Sequence, residues 1–153
     1  MLLSVIIPAW QEAKRMHKTI EGVESLRAAL PYPIEVILVD DGSTDGTADL
    51  AAAAGMKVIR RPHKGKGAAV RTGMLAANGM YRMIADADWS MRPEQALLML
   101  PPVLTGHDIA IASRELPDSI RKGEPRWRHF VGRTYNNLVQ QILLPGLLDT
   151  QCG

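Results

Sequence analysis

Short apolar runs of strand length, each stopping on polar residues, constrain this chain more than any other feature. Leu2 to Ile7 is continuous and ends at Pro8, so it reads as a buried strand that leads into Pro8-Ala9-Trp10-Gln11-Glu12. Ile34 to Val39 is rich in β-branched residues and stops at Asp40-Asp41-Gly42-Ser43. The run from Tyr81 stops at Asp86-Ala87-Asp88.

Between these runs lie helix patterns. Glu12 to Leu30 carries Met16, Ile20, Val23 and Leu26 at amphipathic spacing, and Pro31 and Pro33 end it. Thr44 or Asp45 is placed to cap a helix over Thr47 to Ala54 that stops at Gly55. A short strand over Lys57 to Arg60 and a helix over Lys66 to Asn78 precede the run at Tyr81. Pro93 suits the first position of a helix reaching about Leu100. Asp108 to Ala112 is expected as a further buried strand and Arg126 to Leu144 as a long helix. Strand and helix alternating through short connections imply an α/β three-layer sandwich with a mainly parallel sheet. Such sheets bind ligands beyond the carboxyl ends of their strands. The polar strand ends at Pro8, Asp40 and Asp86 therefore converge on one rim. In an extended backbone Asp86 and Asp88 would point to the same side, as two oxygen ligands for one hard divalent cation.

At 153 residues the chain is expected to form one domain, residues 1–153. A formal charge of +2, from 18 basic and 16 acidic residues, demands no nucleic-acid partner. The single cysteine, Cys152, excludes an intramolecular disulfide and suits a reducing compartment. The first strand begins at the initial Met, so no signal peptide is expected. No apolar run approaches the roughly 20 residues of a spanning helix; Pro145 and Gly146 break the stretch from Ile142 to Leu148. The expectation is a soluble cytoplasmic protein, or one peripheral on a membrane's cytoplasmic face.

Other motifs fail their own tests. Asp41-Gly42-Ser43-Thr44-Asp45-Gly46 resembles the start of a calcium loop, but the twelfth position, where a bidentate Glu belongs, is Ala52. Lys64-Gly65-Lys66-Gly67 opens a helix. It is not a P-loop, and Val70 stands where a dinucleotide fingerprint needs its third glycine. It reads as an anion site built on helix amides and lysines, or as a solvated basic turn. His17, His63, His107 and His129 share no ligand spacing and read as ordinary core or surface residues. The stripe of Trp127, Phe130, Val131, Tyr135, Leu138, Val139, Ile142 and Leu143 is core, or a face meeting a membrane with Arg126, Arg128 and Arg133 near head groups.

Val5-Ile6-Ile7-Pro8-Ala9-Trp10-Gln11-Glu12, Val39 to Thr47, Lys64-Gly65-Lys66-Gly67 and Asp86-Ala87-Asp88, in this order, resemble the inverting glycosyltransferases of family 2, with the GT-A fold. Ala112-Ser113-Arg114 and Asp149-Thr150-Gln151-Cys152-Gly153 look like its polyprenyl-phosphate branch, which includes the dolichyl-phosphate glucosyltransferases and dolichol-phosphate mannose synthases. The resemblance implies transfer of a hexose from a nucleotide-diphosphate sugar, of UDP-glucose or GDP-mannose type, to an acceptor such as polyprenyl phosphate at a membrane surface. By position it implies that Pro8, Ala9, Trp10, Glu12, Val39, Asp40, Asp41, Lys66, Gly67, Asp86 and Ala87 bind the nucleotide sugar. Asp86 and Asp88 would bind Mg²⁺ or Mn²⁺, Asp88 and Arg114 would be catalytic, and Arg114 and Arg133 would hold acceptor phosphate. Ser90 stands where mannose synthases often carry Gln or Glu, which weakens a mannose assignment. The family's pattern runs on past Gly153, so a C-terminal truncation is expected, with loss of acceptor elements. The alternatives are a nucleotide-sugar-binding module without turnover and a transferase with a saccharide acceptor. A sugar nucleotidyltransferase would open with a Gly-rich loop after the first strand, which Pro8 to Glu12 lacks.

Overall fold

In a computed structural model of the protein, residues 2–89, 93–100, 103–113 and 139 are described. The chain divides into two compact units, residues 1–105 and 106–153.

The first unit is built on a parallel sheet of β1 (Leu3–Ala9), β2 (Ile34–Asp40), β3 (Lys57–Arg60) and β4 (Tyr81–Ile84) in the order β3-β2-β1-β4. Leu3 pairs with Ile34 on one side and Tyr81 on the other, and the register continues from there. Every residue of β1 is buried because both faces of the sheet are covered. Alternation of side chains divides the core. Leu3, Val5, Ile7 and Ala9 join Val36 and Leu38 on one face, packed with Met16, Val23 and Leu26 of α1 (Met16–Ala29) and Ala51 of α2 (Thr47–Ala53). Ile6, Ile37 and Val39 face the other way, against Ala69 of α3 (Lys66–Ala76). α4 (Pro93–Leu97) packs on α1, with Ala96 and Leu100 in the larger cluster. These are the three layers and the mainly parallel sheet expected from the sequence.

Chain order runs outward from β1 to β2 and β3, then returns across α3 to β4 on the other side of β1. That reversal opens a crevice at the carboxyl ends of β1 and β4, the usual ligand position in such sheets.

Several element boundaries differ from expectation, for reasons visible in the hydrogen bonds. α1 starts at Met16 after a 3-10 turn at Ala13–Arg15, where the Arg15 N–H bonds the Glu12 carbonyl at 2.9 Å; the N–H groups of Glu12 and Ala13, which no helical carbonyl would satisfy, donate to Thr47 Oγ1 and Asp45 Oδ2, both at 2.9 Å. The residue capping α2 is Gly46, at φ +90°, rather than Thr44 or Asp45. Asp45 still accepts the Thr47 N–H at 3.1 Å from one position further out. α3 ends at Ala76, and the Asn78 N–H donates to Glu35 Oε2 at 2.9 Å.

In the second unit, Asp108 to Ala112 forms no strand, contrary to expectation, and Ile109 and Ile111 are exposed. β-branched composition favours an extended backbone but does not supply a neighbour for its N–H and C=O groups, and no ladder pairs this segment among the described residues. The helix expected over Arg126 to Leu144 lies, Val139 apart, outside the described residues, as do Ser90, Arg114, Arg133 and the Asp149 to Gly153 motif.

Candidate functional site

An open cleft of about 310 Å³ in the first unit is lined by the ends of β1 and β4, the segment after β2, and the start of α3. Pro8, Ala9, Trp10, Glu12, Asp41, Lys66, Asp86, Ala87 and Asp88 all reach it, from four separated stretches of sequence. Arg15, His63 and Ala69 complete its wall. The sequence-based residues outside that wall lie just beneath or beside it. Val39 is fully buried in the smaller core cluster. Asp40 is buried and uses Oδ1 to accept the Ser43 N–H at 3.2 Å. Gly67 is exposed in the first turn of α3, whose leading amides have no carbonyl within the helix to bond.

The β1–α1 connection is fastened to the β2–α2 connection. Gln11 adopts φ +56°, a left-handed conformation uncommon for a residue with a Cβ. Its N–H donates to Ser43 Oγ at 2.9 Å and its Nε2 to Thr44 Oγ1 at 3.0 Å. Asp45 receives the Thr47 hydroxyl, which lowers its carboxyl below the ordinary range; burial opposes this, and the Ala13 N–H adds to it. Arg15 forks onto Glu12 at 2.8 and 2.7 Å. Their spacing of three residues is the signal that could have flagged Arg15 in sequence.

Asp41 organises the next wall. Only 2% of its side chain is exposed. Its carboxylate accepts the Gly65 N–H at 2.7 Å and the Lys64 N–H at 3.1 Å, with Arg61 Nε at 3.3 Å and His63 Nδ1 at 2.9 Å. Burial pushes this carboxyl upward, but the Gly65 and Lys64 amides, with Arg61 and His63, outweigh it and hold the group below its usual value. Gly42, at φ +82°, lets the loop close over it, since a Cβ there would sit 2.9 Å from the His63 nitrogen. His63 stacks on Trp10, with ring centroids 4.7 Å apart and planes inclined by 29°. Sequence gave no hint of this contact, because His63 acquires its partners only through the fold.

β4 stops at Ile84, so Asp86 and Asp88 sit on a turn, not on the extended strand that the i, i+2 argument assumed. The Trp89 N–H closes the turn on the Asp86 carbonyl at 2.9 Å, with Trp89 at φ +49°. α1 buttresses it from behind. The Thr19 hydroxyl donates to the Ala87 carbonyl, and the Trp89 indole presses on Gly22, where a side chain would collide with the ring. Both carboxylates still line the cleft, and Lys66 Nζ pairs with Asp86 Oδ1 at 2.6 Å. Among the described residues no group of three or more potential ligands surrounds a metal position. Two adjacent carboxylates nevertheless fit Mg²⁺ or Mn²⁺ of the kind that takes its remaining oxygens from a diphosphate and water.

The family model described as "Glycosyl transferase family 2" matches residues 4–153. The chain is 33% identical to a dolichyl-phosphate beta-glucosyltransferase of Drosophila melanogaster, over 99% of this chain and 52% of the relative. Among solved structures it is similar to mannosyl-3-phosphoglycerate synthase from Rubrobacter xylanophilus, with TM-score 0.68 and 25% identity, over 94% of this chain and 49% of that one. It also resembles glucosyl-3-phosphoglycerate synthase from Mycobacterium tuberculosis in complex with Mn²⁺, UDP and glucosyl-3-phosphoglycerate, with TM-score 0.56 and 29% identity, over 69% and 40% of the two chains. The chain thus spans about half the length of the curated relatives it matches.

Proposed function

As the chain belongs to glycosyl transferase family 2, we propose that it moves a hexose from a nucleotide-diphosphate sugar, of UDP-glucose or GDP-mannose type, to polyprenyl phosphate with inversion at the anomeric carbon. The observation that carries this is the cleft itself: it joins an aromatic face at Trp10, a lysine at a helix start, and the carboxylate pair Asp86 and Asp88. Residues 1–153 then act as one nucleotide-sugar-binding domain. Trp10 takes the base, Pro8, Ala9 and Glu12 line its surroundings, and Asp41 sets the Arg61–Gly65 loop while Val39 and Asp40 support it from below. Lys66 and the Gly67 amide meet the diphosphate, and Asp86 and Ala87 meet the ribose and diphosphate side.

Asp86 and Asp88 would hold Mg²⁺ or Mn²⁺, which when bound offsets charge on the departing diphosphate. An oxygen of the acceptor phosphate attacks the anomeric carbon from the face opposite the leaving group. The bond from that carbon to the β-phosphate oxygen breaks, and its electron pair leaves with the nucleoside diphosphate. A phosphate acceptor arrives already ionised, so no dedicated base is required. Arg114 and Arg133 orient it through charge-assisted hydrogen bonds, at a membrane's cytoplasmic face. The relative named for dolichyl phosphate supports a lipid phosphate. The neighbours named for 3-phosphoglycerate support a phosphate-bearing acceptor more broadly.

Calorimetry with UDP and GDP, each with and without Mn²⁺, tests the donor half. The wild type should bind one of them in a Mn²⁺-dependent manner, and Asp88→Ala should lose that dependence. Unchanged metal-dependent affinity in the variant overturns the metal assignment, and a wild type that binds neither nucleotide overturns the function. Turnover with polyprenyl phosphate against 3-phosphoglycerate then decides the acceptor.

A further inference from the structure

We propose that His63 is a positioning residue for the donor base, acting through Trp10; this deepens the nucleotide-sugar function and rests on it. His63 lies far from Trp10 in sequence and comes to it through a loop that Asp41 holds. Its Nδ1 stands 2.9 Å from the Asp41 carboxylate and 3.1 Å from the Asp41 backbone carbonyl. Both partners are acceptors, so Nδ1 carries the hydrogen and the ring is tethered at two points. The tethered ring stacks at 4.7 Å on the Trp10 indole. Trp10 is the first residue past β1 and is 52% exposed, so without a neighbour its side chain would sample several rotamers above the cleft. His63 covers one side of the indole and leaves the remainder for a base to stack on. A platform fixed before the ligand arrives avoids the ordering cost that a loose aromatic would incur on binding.

The chain Asp41, His63, Trp10 thus runs from a buried carboxylate, saturated by backbone amides, to an exposed stacking surface. The ring is what the proposal requires. The hydrogen bond only anchors it. Phe at this position keeps the stack and Asn keeps a donor near Asp41, so the two variants separate the contributions.

The test is a double-mutant cycle on UDP and GDP affinity, measured by calorimetry with Mn²⁺, with melting curves to establish that each variant is folded. His63→Ala should weaken binding by roughly tenfold, the scale of one base–aromatic stack. The same substitution in a Trp10→Ala background should weaken it no further. His63→Phe should recover most of the loss, and His63→Asn should not. An equal loss in both backgrounds means that His63 acts independently of Trp10, and overturns the proposal. So does recovery by Asn with failure of Phe, which would make His63 a loop anchor only. Full affinity in a folded His63→Ala overturns it as well. In each of these outcomes the wild type still binds, so the donor function survives; a wild type that binds neither nucleotide removes both.

Discussion

The two ends of the sheet use carboxylates in opposite ways. At the amino end, Glu35 near the start of β2 accepts the Ser4 hydroxyl at 2.6 Å, the Asn78 N–H at 2.9 Å and Asn78 Nδ2 at 3.0 Å, with Lys57 Nζ at 3.4 Å. Ser4 Oγ in turn accepts the Gly79 N–H at 2.8 Å. This one side chain ties β1, β2, β3 and the approach to β4 together, with fixed donors filling its capacity. At the carboxyl end the carboxylates are graded. Asp41 is filled by its loop, Asp86 is paired with the exposed Lys66 side chain, and Asp88 is exposed on the cleft. A carboxylate whose oxygens are filled by donors of the fold itself builds the fold. One facing side-chain partners and solvent keeps room for a ligand.

The largest test of this contrast is Asp41→Ala. It leaves the Lys64 and Gly65 amides and the Arg61 charge without their buried acceptor, a loss of about 3 kcal/mol in stability. Nucleotide affinity should fall with it, because the Arg61–Gly65 loop loses its anchor. Chemical denaturation and calorimetry on the same preparation would show both, and a stability loss with intact affinity would confine Asp41 to the fold.

Glu35→Gln should cost about 1–2 kcal/mol and leave nucleotide affinity alone, since Glu35 sits at the opposite end of the sheet. The wild-type group also makes stability depend on pH. Burial raises its carboxyl, but the bonds from Asn78, Ser4 and Lys57 prevail and lower it to about 2. A depressed carboxylate contributes fully above its unfolded value, and that contribution is lost as pH falls from about 4.5 toward about 2. Acid melts of Glu35→Gln should be flatter than wild type across that window, and parallel curves would contradict the assignment.

The smallest effect, and the sharpest in sign, belongs to Lys66→Ala. Its partner Asp86 is freed, so Mn²⁺ alone should bind several-fold tighter while UDP alone binds several-fold weaker. Electron paramagnetic resonance of Mn²⁺ and nucleotide titration read the two separately. A change of the same sign in both would make Lys66 a structural residue.

β1 and β2 were legible in sequence because burial on both faces leaves long apolar runs, whereas β3 and β4, shorter and largely exposed, carry charged residues and were legible only as short apolar cores between helix patterns. The rim was legible because each run breaks on a proline or on acidic residues that need polar partners. What escaped did so for separate reasons. His63 gains its meaning from Trp10 and Asp41, which only folding brings near, whereas Arg15 was within reach through its spacing to Glu12. Asp86 and Asp88 suggested a strand by spacing, but the Trp89 N–H closes a turn instead. Asp108 to Ala112 has the composition of a strand without a described neighbour, and composition alone cannot reveal that difference. Val39 is the last residue of β2 before Asp40, yet alternation sends its side chain into the core.

The fastening between Gln11–Ala13 and Ser43–Thr47 has a consequence for exchange between relatives. Four hydrogen bonds cross between these connections, from Gln11, Glu12 and Ala13 to Ser43, Thr44, Thr47 and Asp45. They make one structural part written in two places. A graft that imports one connection alone brings donors without their acceptors or acceptors without their donors, whereas a graft of both carries a finished rim into a new host.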